Sequence, residues 1–203
     1  MAYSDKTVPT KEALLQEGMQ QLAENGYHGT GIKKILDAVR VPKGSFYNYF
    51  ESKEAYVAEI IADYNRQSLA LFDQTIADSE APAVEKLEIL YQHMLNKYAD
   101  AHYQKGCLVG SLAAEIGHRY ELCQAAMQLS VNNWQTRLIG LITVAQQEGS
   151  IRADLEPEAI AEVLWSTWEG VLLKMQIDGH ADTAKRVLSV LFKQLLVTGE
   201  NSG

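Results

Sequence analysis

The sequence predicts an all-α fold: an N-terminal three-helix head containing a helix-turn-helix, then a larger helical body, about nine helices in all. Two observations lead there. Apolar residues recur at three- and four-residue spacing nearly everywhere, and no segment alternates with the period of two that a half-buried strand needs. Gly, Pro and Asn-Gly breaks then cut this pattern into pieces of helix length.

The first helix is expected from about Lys11 to Asn25, with Leu14, Leu15, Met19, Leu22 and Ala23 on one face. Asn25-Gly26 stops it, glycine being favoured just past a helix end. Thr30 is placed as the N-cap of a short second helix from Gly31 to about Val39. Arg40-Val41-Pro42 turns the chain, with the fixed φ of Pro42 suited to a helix start. The third helix covers Lys43 to Tyr49, and Ser52 caps a long fourth from Lys53 to about Asp78. Further helices are expected over Val84 to His102, Cys107 to Ile116, Arg119 to Glu148, Pro157 to Ile177 and Asp182 to Val197. Gly106, Gly149-Ser150 and Asp178-Gly179-His180 separate them. The domain division expected is 1–54 for the head and 55–203 for the body.

With 203 residues, 47% of them apolar and 22% charged, the chain has enough apolar material for a proper core. No uninterrupted apolar run approaches the ~18 residues of a membrane span, and the N-terminus lacks the apolar stretch of a secretory signal. Two cysteines, Cys107 and Cys123, make a disulfide framework improbable. The expected location is the cytoplasm. His93, His102, His118 and His180 have no spacing that suggests a metal cage, and no cofactor is expected.

The formal net charge is −8, and its distribution matters more than its size. Residues 1–54 hold seven Lys/Arg and seven Asp/Glu; the other 11 basic and 19 acidic residues all lie in 55–203. An acidic body on a neutral head excludes indiscriminate coating of nucleic acid, which runs on phosphate neutralisation. It leaves room for DNA binding through a few placed cations.

The stretch TGIKKILDAVRVPKGSFYNYFESKE, residues 30–54, places those cations. Two short helices joined by a tight turn and braced by an earlier helix make a compact helix-turn-helix. Ile32, Ile35, Leu36 and Val39 face inward on the second helix, leaving Lys33 and Lys34 outside. Phe46 and Phe50, four apart, share the packed face of the third. The opposite surface offers Lys43, Gly44, Ser45, Tyr47 and Asn48. Lys43 can neutralise a phosphate or reach a guanine edge, and Asn48 can read adenine. Ser45, Tyr47 and Tyr49 can donate hydroxyls to phosphates. Gly44 lets the backbone approach a duplex closely. Lys53 sits at the start of the fourth helix, where free backbone N–H groups also favour a phosphate. A small-residue turn between amphipathic helices is common by itself; the exposed aromatic and hydroxyl cluster on so short a helix favours DNA.

The same stretch resembles the TetR family of bacterial regulators. Its motif has a threonine ahead of the second helix, an I-A pair within it, then G-V-S-x-G-x-x-Y-x-Y/H-F-x-S-K-E. Thr30, Val41, Gly44, Tyr47, Tyr49, Phe50, Ser52, Lys53 and Glu54 fall on that pattern. The resemblance implies a homodimeric repressor of double-stranded operator DNA, with Thr30, Lys43, Gly44, Ser45, Tyr47, Asn48, Tyr49 and Lys53 at the DNA-binding site. It also implies that the last two helices, 157–177 and 182–197, form the dimer interface. Their apolar surplus (Val163, Leu164, Val171, Leu172, Val187, Leu188, Leu191, Leu195, Leu196) fits that. Three departures stand out: Arg40 replaces the turn glycine, Leu36 replaces alanine, and Pro42 replaces the serine cap.

In the body, Gly106–Ile116 (GCLVGSLAAEI) and Trp165–Ile177 (WSTWEGVLLKMQI) are similar to the NemR- and AcuR-like group of that family. That similarity implies a small-molecule or electrophile effector, and a sensor role for Cys107. Cys107 lies at a predicted helix N-terminus beside Lys105 and near His102, features that favour a thiolate. A small buried hydrophobe is the plainer reading of the same residue. The lysine that partners this cysteine in some relatives corresponds to Gln176, and Lys174 would face differently. Tyr91, Met94, Tyr98, Trp134, Trp165 and Trp168 are candidates to line an effector pocket, or simply core. A helical thiol enzyme using Cys107 with His102 or His118, and a carrier with a degenerate head, are the alternatives; no phosphate loop, triad or metal motif supports an enzyme.

Overall fold

The computed structural model describes residues 7–77, 79–100 and 106–197, and among them every regular element is helical. In chain order these are α1 (Thr7–Gly29), α2 (Ile32–Val39), α3 (Lys43–Phe46), α4 (Lys53–Ala77) and α5 (Ala83–Asp100). Then come α6 (Leu108–Ile116), α7 (Glu121–Gln147), α8 (Pro157–Asp178), α9 (Asp182–Val190) and a π-helical turn, Leu191–Leu195. Among the described residues no helix is long and apolar enough to cross a membrane. None of their His, Cys, Asp and Glu side chains gather into a group of three or more that could hold a metal ion.

The chain forms two compact units that interleave in sequence. One holds Met1–Gln67 and Leu108–Ser130; the other holds Ser68–Cys107 and Val131–Gly203. Compactness therefore divides the chain elsewhere than the expected functional boundary after residue 54, because α6 and the first part of α7 pack with the head.

In the first unit, α1 and α4 approach so closely that Gly18 is required. A Cβ there would lie 2.0 Å from the Tyr56 hydroxyl and 2.6 Å from Ile60 Cδ1. That hydroxyl donates to the Leu14 carbonyl across the seam. Phe46, Phe50 and Tyr56 form an aromatic cluster beneath α3, with ring centroids 4.7–5.2 Å apart. Each ring is buried, which contributes about 1.5–3 kcal/mol per side chain. This is what allows a four-residue helix to hold its place.

Three sequence expectations need correcting here. Asn25-Gly26 breaks the helical path of α1 (Gly26 φ 67°, ψ −174°), yet Tyr27–Gly29 re-enters a helical turn. Thr30 is not the cap of α2; Gly31 is, with no side-chain bond. The Thr30 hydroxyl reaches back instead, to the carbonyls of Gln21 (3.1 Å) and Gly26 (2.6 Å), satisfying the end of α1. The third helix ends at Phe46 rather than Tyr49. Beyond it the chain tightens, Tyr49 N–H bonding the Phe46 carbonyl at 2.9 Å and Phe50 N–H the same oxygen at 3.0 Å. Ser52 caps α4 as expected, accepting from the Ala55 amide at 3.0 Å.

In the second unit, one apolar cluster joins α5, the later parts of α4 and α7, α8, α9 and the π turn. Pro157 begins α8, and Gly179 ends it in the left-handed conformation (φ 73°). The last helix is regular only to Val190. A wide turn closed by Leu196 N–H on the Leu191 carbonyl at 3.0 Å then brings Leu191, Phe192 and Leu196 all to the core. Most of the residues expected to be surplus on these helices are core: Leu164, Val171, Leu172, Leu188, Leu191 and Leu196 are buried. The true surplus is different. Val163, Leu173 and Ile177 on α8, and Val190 and Leu195 beyond, are 41–70% exposed.

Candidate DNA-binding surface and effector site

Segment 43–50 divides cleanly by burial. Phe46 and Phe50 are within 2% of full burial, while Lys43, Gly44, Tyr47 and Asn48 are exposed, and Ser45 and Tyr49 half-buried. Tyr47 is 57% exposed and leans its ring edge-on against Phe46 at 5.3 Å, so its orientation is set from below while its face stays free. Tyr49 lies 6.2 Å from the Phe50 ring. A Cβ on Gly44 would meet nothing within 4 Å, so the protein itself does not demand glycine there. Close approach of another molecule would.

Lys33, Lys34, Arg40 and Lys43 are all exposed around this segment, with Asp37 the acid among them. Arg40 occupies the left-handed region, φ 56°, ψ 40°, so the turn keeps the geometry of a glycine without having one.

Two expected contacts do not lie on this surface. Thr30 is 2% exposed and its hydroxyl is committed to α1. Lys53 is half-buried; its ammonium donates to the Tyr27 carbonyl at 2.6 Å and lies 4.6 Å over the Tyr27 ring. Desolvation lowers the Lys53 pKa, with nearby Glu115 opposing that shift. Lys53 is a strut between α4 and the end of α1.

Residues that sequence reasoning missed complete that strut. The Glu115 carboxylate on α6 accepts from the Tyr27 amide at 2.6 Å and the His28 amide at 2.7 Å. Tyr120 stacks on Tyr27, centroids 4.5 Å apart. Glu54 accepts from the Leu122 amide at 2.7 Å, at the start of α7. The Tyr27 phenol is pushed up chiefly by burial. The Cys123 thiol is pushed up to about 12, by burial and then by Glu54. Cys123 is thus a structural residue, as expected. Only the Gly26 break hinted at an unusual backbone here.

In the second unit, the five residues expected to sense an effector meet in one cluster. Tyr91 and Trp168 are core, and Met94, Trp134 and Cys107 pack against it half-buried. Tyr91 sits ring to ring with Trp168 (5.4 Å) and Phe192 (5.5 Å); Tyr98 lies 5.9 Å from Trp168 and Trp134 5.3 Å from Phe72. Among the described residues the buried Tyr91 hydroxyl has no hydrogen-bond partner, and burial pushes its pKa up.

Cys107 immediately precedes α6, as its expected helix-start position requires. Its neighbour is a carboxyl, not a cation: the thiol hydrogen-bonds Glu169 of α8. Burial raises the Glu169 pKa, and the bond from Cys107 opposes that rise. The expected neighbours His102 and Lys105 lie outside the described residues. Gln176 does sit where a partner of this loop would, its side-chain amide 3.2–3.4 Å from where a Cβ on Gly106 would stand. Lys174 faces elsewhere and pairs with Asp178.

Comparison with known proteins agrees with this layout. Residues 14–60 match the model of bacterial regulatory proteins of the tetR family, and residues 83–191 match the tetracyclin repressor-like C-terminal domain. The HTH-type transcriptional repressor DhaR of Mycobacterium sp. (strain GP1) is 30% identical over 193 residues, covering 95% of this chain and 96% of that protein. The transcriptional regulator AcuR of Cereibacter sphaeroides is 34% identical over 171 residues, covering 84% and 78%. The crystal structure of the reduced form of E. coli NemR superposes with a TM-score of 0.87 at 26% identity, covering 95% and 99%. The chain belongs to the TetR family of DNA-binding transcriptional regulators.

Proposed function

We propose that the protein is a repressor that binds a two-fold symmetric operator as a homodimer, and releases it when a small molecule or electrophile acts on residues 55–203. Residues 1–54 grip the DNA. The observation that carries this reading is the separation of faces on segment 43–50. Two buried phenylalanines anchor a turn whose lysine, phenol and amide have no role inside the protein. Lys43, Ser45, Tyr47 and Tyr49 suit phosphates and base edges, Asn48 suits adenine, and Gly44 admits close approach. The exposed apolar stripe Val163, Leu173, Ile177 on α8, with Val190 and Leu195, supports pairing of two copies through 157–177 and 182–197. Pairing supplies two heads for successive major grooves, so an effector that favours the wrong head spacing weakens binding.

The effector acts at the cluster of Tyr91, Met94, Trp134 and Trp168, with Cys107 at its edge. The unpartnered Tyr91 hydroxyl supports a ligand with a polar group there.

Selection of bound duplexes from random DNA tests the proposal. The wild type should enrich one roughly palindromic sequence, bound by two copies. Tyr47→Ala should bind it about 10-fold or more weakly, as loss of a hydrogen bond to a charged group implies, with unchanged thermal unfolding. Unchanged affinity of that variant, or no enrichment at all, refutes the assignment.

A further inference from the structure

Gly26 adopts a positive φ, and the two amides that follow it, Tyr27 and His28, point the same way. Consecutive N–H groups arranged like this make a small anion-binding concavity. Here the anion is internal: one oxygen of Glu115 takes each amide, at 2.6 and 2.7 Å. The fit is close enough that a Cβ on Gly26 would lie 2.4 Å from Glu115 Oε2. On the other side of the same peptide, the Tyr27 carbonyl takes the Lys53 ammonium at 2.6 Å. Lys53 begins α4, three residues after the recognition segment ends. Glu54 beside it holds the Leu122 amide at the head of α7. Two carboxylates thus cross one seam in opposite directions, Glu115 from α6 to α1 and Glu54 from α4 to α7.

We propose that Glu115 is the positioning residue that makes α6 and the DNA head move as one body, so that displacement of α6 is transmitted to α3 through Tyr27 and Lys53. This rests on the DNA-binding reading above. A Glu–backbone clamp suits the task better than a hydrophobic contact. It is directional and has two discrete states, closed on both amides or open to water, and coupling needs such a two-state element. Coupling is also reciprocal: if α6 biases the head, bound DNA must bias α6.

The test is amide hydrogen exchange across residues 108–116 of the full-length protein, with and without its selected duplex. In the wild type the duplex should slow exchange in α6 at least threefold. Glu115→Ala should bind the same duplex within about threefold of wild type, yet show no slowing in α6. Glu115→Gln, which keeps an acceptor oxygen but not the charge, should fall between. Equal slowing in wild type and Glu115→Ala overturns the proposal, as does the absence of slowing in a wild type that binds DNA. Loss of duplex binding in both variants marks the carboxylate as support for the fold alone and also overturns it. A wild type that selects no duplex refutes DNA recognition itself, and is seen before Glu115 is altered.

Discussion

Replacing Arg40 by glycine should make the protein more stable and a poorer DNA binder. Arg40 holds φ 56°, ψ 40° at the end of α2, with its amide bonded to the Asp37 and Leu36 carbonyls. For a residue with a Cβ that conformation costs roughly 1–2 kcal/mol. Glycine relieves the strain but has more freedom to lose on folding, about 0.5–1 kcal/mol. The difference leaves a gain of about 0.5–1 kcal/mol, or a Tm rise of ~1–4 °C for a chain of this size. The exposed guanidinium is lost at the same time. One screened cation–phosphate pair is worth about 1 kcal/mol in water, so affinity should fall about fivefold at low salt. The slope of log affinity against log salt should become shallower by ~0.9.

Thermal unfolding and salt-dependent titration of the selected duplex measure the two effects separately. Arg40→Ala is the control: it removes the charge but keeps the left-handed backbone, so it should lose affinity equally without gaining stability. Were Arg40→Gly to unfold at a lower temperature than wild type, the strain argument would be wrong. Should both variants bind with an unchanged salt slope, Arg40 faces no phosphate and some other cause retains it.

Three further substitutions probe other links. Gly18→Ala should cost about 3 kcal/mol by forcing Tyr56 and Ile60 aside and breaking the Tyr56–Leu14 bond; a loss below ~0.5 kcal/mol in denaturant unfolding would show that α1 and α4 separate easily. Tyr91→Phe removes a buried hydroxyl without a partner among the described residues and should raise stability by roughly 1 kcal/mol, while weakening any effector that uses that oxygen; lower stability in chemical denaturation would mean the hydroxyl is satisfied. Glu169 has a folded-state pKa raised by burial, so the folded chain holds its proton more tightly than the unfolded one. Its contribution therefore favours folding at low pH and is lost as pH rises from the ordinary carboxyl pKa through the raised one. Glu169→Gln should remove that decline from the pH–stability curve, and speed alkylation of Cys107 at neutral pH by deleting a negative charge beside the sulfur. A parallel curve with an unchanged alkylation rate would place the carboxyl away from both.

The features most legible in the sequence were those set by local rules. Helix boundaries fell within a few residues wherever Gly or Pro punctuates the chain, as at Pro157 and Gly179, because those residues act through their own φ. The buried Phe46–Phe50 pair followed from four-residue spacing alone. The positive φ of Arg40 could be foreseen as a choice between strain and an altered turn, and strain is what the backbone shows. The end of the third helix was less legible. Nothing in Tyr47-Asn48-Tyr49 breaks a helix, and the tightening after Phe46 serves to bury Phe50 beside Tyr56.

Thr30 and Lys53 were misread for a common reason. A threonine before a helix and a lysine at a helix start each have a plausible local or DNA-facing role, and pattern alone prefers it. Their actual partners are backbone carbonyls of Gln21, Gly26 and Tyr27, up to 26 residues away, and a carbonyl leaves no mark in a sequence because every residue carries one. The Glu115 clamp is the extreme case, an ordinary surface-type residue whose partners are amides 87 and 88 positions distant. The same blindness reversed the reading of the last helices. Counting apolar residues showed that α8 and its successors carry more than one face needs. Only the packing decides which are spare, and it takes Leu172 inward while turning Leu173 and Ile177 out. Side chains that bind main chain, and apolar residues shared between a core and a second copy, are therefore the two places where a helical regulator hides its working parts from its own sequence.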